Sequence, residues 1–267
     1  MSSNTINILF IADIIGQSGF DITASLLPKV KQKYQIHFTV ANGENSANGK
    51  GITPYLYQKI LNLGIDVITS GNHIWDKDKI YPVLDEADRL LRPHNYPDLC
   101  PGKGIFNGTT NVSYVPISVV SLQGKSFMYP IQCPFTTLDR ALSEIKKQNN
   151  SRIIFVDFHA ESTAEKIAMG WYIDGKISAL VGTHTHVQTA DEQILPEGTA
   201  YITDAGMTGP MDSVIGMEKS SAIKRFVTQM PVRYECATKS PQFSGVVITI
   251  DTDTGKAKQI ERLQLRS

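Results

Sequence analysis

The chain carries no excess charge of either sign: 26 Lys and Arg balance 26 Asp and Glu among 267 residues. That balance withholds the broad basic surface by which proteins track long nucleic acids, so no extended nucleic acid is expected as a partner. Cysteine is scarce. Cys100, Cys133 and Cys236 lie far apart with no C-x-x-C spacing, which excludes a disulfide framework and a zinc knuckle and leaves three reduced thiols as the expectation. No apolar run approaches the roughly 20 residues of a membrane helix. The opening MSSNTINILFIAD has no positive n-region and is interrupted by Asp13, so it does not read as a secretion signal, and the cytoplasm is the expected compartment. Missing too are the G-x-S-x-G of serine hydrolases and an H-E-x-x-H helix. Gly43 to Lys50 (GENSANGK) imitates a phosphate loop but has one residue too many between its glycines, and Gly51 stands where a Ser or Thr would hold magnesium; it reads as a turn.

What remains is a globular composition, 41% apolar and 19% charged, long enough for one large domain over 1–267. One arrangement recurs along it. A short β-branched apolar run ends, and polar residues capable of binding metal follow at once. Asn7–Ala12 ends at Asp13, His37–Ala41 at Asn42-Gly43-Glu44-Asn45, and Asp66–Thr69 at Ser70-Gly71-Asn72-His73. Arg152–Phe158 ends at His159-Ala160-Glu161, Ile177–Val181 at Gly182-Thr183-His184-Thr185-His186, and Thr199–Thr203 at Asp204-Ala205-Gly206. Short runs bounded in this way predict buried strands.

Helices separate several of these strands. Thr53 to Leu63 has an N-cap threonine, a proline suited to the first helical position and a glycine stop at Gly64. Asp21–Lys33 is helical in pattern, with Pro28 expected to kink or divide it. Thr137–Gln148 is amphipathic. Two hairpins are predicted, Ser113–Met128 around Gln123-Gly124 and Ser244–Leu265 around Asp251–Gly255. The Pro-rich stretch 75–111 is a candidate lid or partner surface. His37 and His94 read as structural or exposed.

Ligands of open α/β sheets bind beyond the carboxyl ends of the strands, so the polar tips are expected to meet. Asp13, Glu44, Asn45, Asn72, His159, His184 and His186 would then supply oxygen and imidazole donors without a thiolate, a set suited to iron, manganese or zinc. Seven donors exceed one tetrahedral ion and suit two metals sharing a carboxylate. Each element alone is weak: a lone histidine at a strand end is more often structural, and G-N-H and G-E-N are ordinary turn sequences.

These same segments, with VDFHA at 156–160, VGTHTHVQTAD at 181–191 and YITDAGMTGP at 201–210, resemble the calcineurin-like metallophosphoesterases. The similarity is closest to their bacterial YmdB-type branch, which is similar to cyclic-nucleotide phosphodiesterases. The usual D-x-H opening is here Asp13-Ile14-Ile15, and Glu44 stands where the superfamily has a bridging aspartate. The resemblance implies a four-layer α/β/β/α sandwich of two mixed sheets holding two metals, iron expected and manganese or zinc as alternatives. Asp13, Asn45 and His186 would hold one metal, Asn72, His159 and His184 the other, with Glu44 between them. It implies hydrolysis of small cyclic nucleotides, 2′,3′-cyclic and also 3′,5′-cyclic, by a metal-bridging hydroxide with His73 as proton donor. It also implies a homo-oligomer and a regulatory role in bacterial physiology. The alternatives are a phosphomonoesterase or protein phosphatase on the same centre, and an RNA- or protein-binding regulator whose metal is structural.

Overall fold

The computed structural model describes residues 4–111 and 114–266. In chain order the elements are β1 (Thr5–Ile11), β2 (Asp13–Ile14), α1 (Gly16–Lys33), β3 (Phe38–Asn42), α2 (Pro54–Asn62), β4 (Val67–Thr69), α3 (Tyr81–Leu84), β5 (Ile105–Thr109), β6 (Pro116–Gln123) and α4 (Pro134–Gln148). They continue as β7 (Ile153–His159), α5 (Thr163–Ile173), β8 (Ala179–Thr183), β9 (Gln193–Ile194), β10 (Ala200–Ile202), β11 (Met207–Pro210), α6 (Lys219–Thr228), β12 (Pro241–Asp251) and β13 (Ala257–Arg266).

Two mixed sheets form. A seven-stranded sheet runs β2-β11-β12-β1-β3-β4, with β13 beside β12; a six-stranded sheet runs β5-β6-β7-β8-β10-β9. Strand alternation explains how they stack. In β7, Ile153 and Phe155 face the first sheet, while Ile154, Val156 and Phe158 point the other way, toward α4 and α5. In β1, Ile8 and Phe10 join the layer between the sheets, and Leu9 and Ile11 pack on the α1 and α2 side. The result is the expected four-layer α/β/β/α sandwich. Phe10 and Phe155 close its centre, their rings stacked at 5.4 Å and fully buried.

The six expected strands form, each within two residues of its expected ends at its N-terminal side. So does the helix capped by Thr53, whose hydroxyl accepts from Leu56 N–H at 3.3 Å. The hairpin at 251–255 is present as β12 and β13. Pro28 does not divide α1, which starts earlier, at Gly16. The other hairpin fails. Its first residue, Ser113, lies outside the described residues, and the strand that follows ends at Gln123 without turning back. Both edges of β6 are taken, antiparallel by β5 and parallel by β7, so no place is left for a returning strand. Gly124 serves close approach instead: a Cβ there would lie 2.5 Å from Ala160 Cβ. The 75–111 stretch carries its own short elements, including α3 and β5, and buries Ile80, Leu84, Leu90 and Leu91. The three cysteines are free, and among the described residues no helix is long and apolar enough to cross a membrane.

Because Phe155 sits between the sheets with its ring against Phe10, Phe155→Ala is expected to cost about 3–5 kcal/mol of stability. Urea unfolding would measure this, and a loss under about 1 kcal/mol would contradict the inter-sheet packing described.

Candidate active site

The carboxyl ends of parallel strands in both sheets open on one edge, and the polar tips gather there. Asp13 follows β1, Glu44 and Asn45 follow β3, and Asn72 and His73 begin a 3₁₀ turn over Asn72–Trp75 after β4. His159 ends β7, while His184 and His186 lie just past β8. All eight predicted site residues therefore converge.

They fall into two groups. In one, His186 Nε2 lies 3.3 Å from Asp13 Oδ2 and 3.2 Å from Asn45 Nδ2. In the other, His159 Nε2 lies 3.1 Å from Asn72 Oδ1 and 2.9 Å from His184 Nδ1. Glu44 touches both: its Oε1 is 3.0 Å from His159 Nε2 and accepts from Asn45 Nδ2 at 3.1 Å. Its Oε2 accepts the backbone N–H of His73 at 3.2 Å. Asp13, Glu44 and His159 are fully buried. Gly71 is needed for this approach, since a Cβ there would lie 2.1 Å from the His159 ring.

The outer ring nitrogens decide which way each histidine presents its lone pair. Thr183 has a single hydroxyl proton and donates it to Asp157 at 2.7 Å. At 3.0 Å from His159 Nδ1 it must therefore accept, so His159 carries a proton on Nδ1 and aims Nε2 inward. His186 Nδ1 can only donate to the carbonyl of Ile215, at 2.9 Å, so Nε2 again faces the site. His184 Nε2 lies 3.1 Å from a Glu161 carboxylate oxygen, which turns Nδ1 inward. Three imidazoles whose outer nitrogens are each engaged by an oxygen acceptor form the pattern that fixes metal-ligating histidines.

Residues absent from the predicted set hold this arrangement. Asp157 lies fully buried beneath it, accepting from Asn42 at 3.0 Å and Thr69 at 2.5 Å as well as from Thr183. Burial pushes its carboxyl up to about 6, opposed by the charge of His159. The backbone of His184 (φ 101°) and His186 (φ 64°) occupies the left-handed region, at a cost of ~1–3 kcal/mol each. The residue between them anchors the loop. Thr185 donates its N–H and hydroxyl to Asp204 at 3.0 and 2.8 Å, and Asp204 is locked to Lys166 by a buried ion pair of 2.7 Å. An aspartate inside the apolar run of β7 was a readable signal of a buried polar role. The Lys166 pairing had none, because its partner lies 38 residues away.

The donor set fits cations. Asp13 Oδ1 and the amide oxygen of Asn45 are buried without a hydrogen-bond partner, and Asp13 Oδ2 has only the 3.3 Å approach of His186 Nε2. Such oxygens are costly unless something positive completes them. Electrostatics agree. Burial alone would raise the Glu44 carboxyl, but His159 overrides it and holds Glu44 at about 2. Burial alone would lower His159, but Glu44 holds it up at about 9. His184, buried and beside the positive His159, is pushed down to about 3 and stays neutral. The Glu44 and His159 charges thus answer one another in the interior.

A four-layer sandwich with this cluster at its strand tips defines the class: a metallophosphoesterase-type fold. It is shared with a 5′-nucleotidase of Candida albicans at a TM-score of 0.55 and 12% identity, covering 100% of this chain and 52% of that one. Residues 9–263 match the model of the YmdB-like proteins, and the chain belongs to that family. A 2′,3′-cyclic-nucleotide 2′-phosphodiesterase of Bacillus subtilis is 50% identical over 256 residues, 96% of either chain. A solved phosphatase of Mycoplasma pneumoniae superposes with a TM-score of 0.92 at 32% identity, covering 99% of this chain and 94% of that one.

A metal ion bound through His159 would have to displace the proton on its Nε2. Below about pH 9, binding is expected to release a proton, and affinity should rise with pH until that value is passed. Calorimetry of the metal-free protein in buffers of different ionisation enthalpy tests this; uptake without proton release would contradict the ion pair. The sign for stability is the reverse. The pair supports the metal-free fold fully between the ordinary values of 4.5 and 6.5, and that support is lost as pH rises through about 9 or falls through about 2.

Thr183→Val leaves His159 Nδ1 without its acceptor. Metal affinity is expected to fall roughly 10–100-fold in a folded protein. Unchanged metal titration would remove Thr183 from its orienting role.

Proposed function

We propose that the chain is a metal-dependent phosphodiesterase of small cyclic nucleotides, 2′,3′-cyclic first and 3′,5′-cyclic as further candidates. The observation that carries this reading is the pair of inward-facing donor groups sharing Glu44, with His73 beside them and a close relative that acts on 2′,3′-cyclic nucleotides. Asp13, Asn45 and His186 would hold one cation, Asn72, His159 and His184 the other, and Glu44 would serve both. Bound there, two cations supply Lewis acidity toward a phosphoryl group and a nucleophile from water at neutral pH. Iron is the proposed occupant, with manganese or zinc as the alternatives that elemental analysis distinguishes. A cytoplasmic homo-oligomer is the proposed form.

The chain's own residues shape the rest. His73 Nδ1 lies 2.9 Å from Asp76 Oδ2, which fixes the ring and leaves Nε2 free. Its side chain is 24% exposed, so an entering ligand can reach it. A protonated His73 would give its Nε2 proton to the 2′-oxygen as the phosphorus–O2′ bond breaks and the oxygen of water bonds to phosphorus, the water's proton passing to solvent. General acid help of this kind is worth ~10²–10⁴ in rate. Beside Asn72 and His184 a pocket of about 350 Å³ is walled by Phe127, Met128, Tyr129 and Pro130, an apolar and aromatic surface suited to a nucleobase. The base of that loop is tied down by Glu165, which accepts from Lys125 and Ser126 N–H at 3.1 and 3.0 Å.

A second reading, a phosphomonoesterase on the same centre, draws support from the Mycoplasma pneumoniae phosphatase. A side-by-side panel of 2′,3′-cyclic, 3′,5′-cyclic and monoester substrates decides between them, and fastest turnover of the monoester would replace the diesterase reading. His73→Ala should keep its metal and lose about 10²–10⁴ in kcat. An undiminished kcat on a 2′,3′-cyclic nucleotide would take the proton-donor role from His73.

A further inference from the structure

A cavity of about 770 Å³ lies away from the metal centre, against the edge strand β5, and none of its lining residues belongs to the site above. The 88–94 segment brings Arg89 and Arg92 to it, Lys103 lies just before β5 and Phe106 within it, and the last turns of α4 bring Glu144 and Gln148.

The two arginines are unusual in their partners. Arg92 is 95% removed from solvent, being 5% exposed, yet it reaches no carboxylate. Its Nε, Nη1 and Nη2 donate to the carbonyls of Pro101, Pro93 and Cys100 at 3.2, 2.9 and 3.4 Å. Arg89 likewise donates to the carbonyls of Asp66 and Ile65, each at 2.7 Å. Among the described residues neither guanidinium takes part in an ion pair. Carbonyls satisfy N–H groups but do not neutralise charge. Each guanidinium has five N–H groups, so donors remain after these bonds. Burial draws the Arg92 pKa down despite Cys100, Asp98 and Asp85 nearby, as expected for a positive charge short of a counterion.

The acids at the cavity lie on other partners. Asp88 is paired with Lys103 at 2.5 Å, and Glu144, which keeps its charge, accepts from the neutral Gln148 amide at 2.9 Å on its own helix. Among the described residues neither guanidinium has a carboxylate within ion-pair distance, and their flat donor forks match phosphate oxygens. The volume is that of a small-molecule pocket rather than of a lone phosphate. The Phe106 side chain and the Asn107 and Gln148 amides, bonded to each other at 3.1 Å, supply apolar and polar wall for the rest of a ligand.

We propose that this cavity is a second binding site, distinct from the metal centre, for a phosphorylated small molecule of nucleotide size, its phosphate held by Arg89 and Arg92. It requires nothing of the catalytic assignment and stands or falls apart from it.

The test is hydrogen exchange of the metal-loaded full chain with adenosine 3′-monophosphate, adenosine and inorganic phosphate as probes. Saturable protection of segments 88–94 and 102–108 by the monophosphate, and weaker protection by inorganic phosphate, is expected. Adenosine should give none. Arg89→Gln should weaken that protection about tenfold or more, with turnover of a 2′,3′-cyclic nucleotide unchanged. Arg92→Gln should do the same. If it does not fold, Arg89→Gln, which is part-exposed and loses only two carbonyl bonds, decides alone. Protection confined to peptides around Asn72 and His184, equal affinity in Arg89→Gln, or equal protection by adenosine would each overturn the proposal.

Discussion

Glu44 has no contact with water, and a carboxylate in that position costs several kcal/mol unless its charge is answered nearby. The answer is His159 on one side, the Asn45 amide on the other and the His73 backbone N–H at the second oxygen. These partners come from both sheets. The carboxylate thus ties the loop after β3 to the tip of β7 across the central layer. The placement of Asn72, His184 and His186 follows from that junction, because each packs against a group that Glu44 already holds.

The surroundings serve that junction in layers. Inner nitrogens of His159 and His184 share a hydrogen bond of 2.9 Å, and the outer nitrogens of all three histidines are pinned by oxygen acceptors. Asp157 fixes Thr183, Thr183 fixes His159, and the Lys166–Asp204 pair fixes the turn that carries His184 and His186 in a strained backbone. A buried ion pair adds little net stability over apolar packing. Here its use is to hold two histidines where ordinary backbone preferences would not place them.

The Arg89–Arg92 cavity is the opposite case. At the centre, buried carboxylates and imidazoles are matched in charge. At the edge strand, positive groups are hydrogen-bonded yet unmatched in charge.

Much of this was legible in the chain itself. Apolar runs of β-branched residues predict strands because few other structures bury both faces of so short a segment. A strand that stops at Asp13, Glu44, Asn72, His159 or His184 delivers its polar residue to the sheet's open end. Thr53, Pro54 and Gly64 mark a helix through backbone rules that act within a few residues. Local physics reaches no further. Whether a strand after Gly124 turns back depends on whether β6 has a free edge, and it has none. Which histidine nitrogen faces inward depends on Thr183, Ile215 and Glu161, and Lys166 meets Asp204 only once α5 has packed on β8 and β10. Sequence neighbours determine strands, caps and turns, whereas hydrogen-bond direction and charge pairing belong to groups that become neighbours only through the fold.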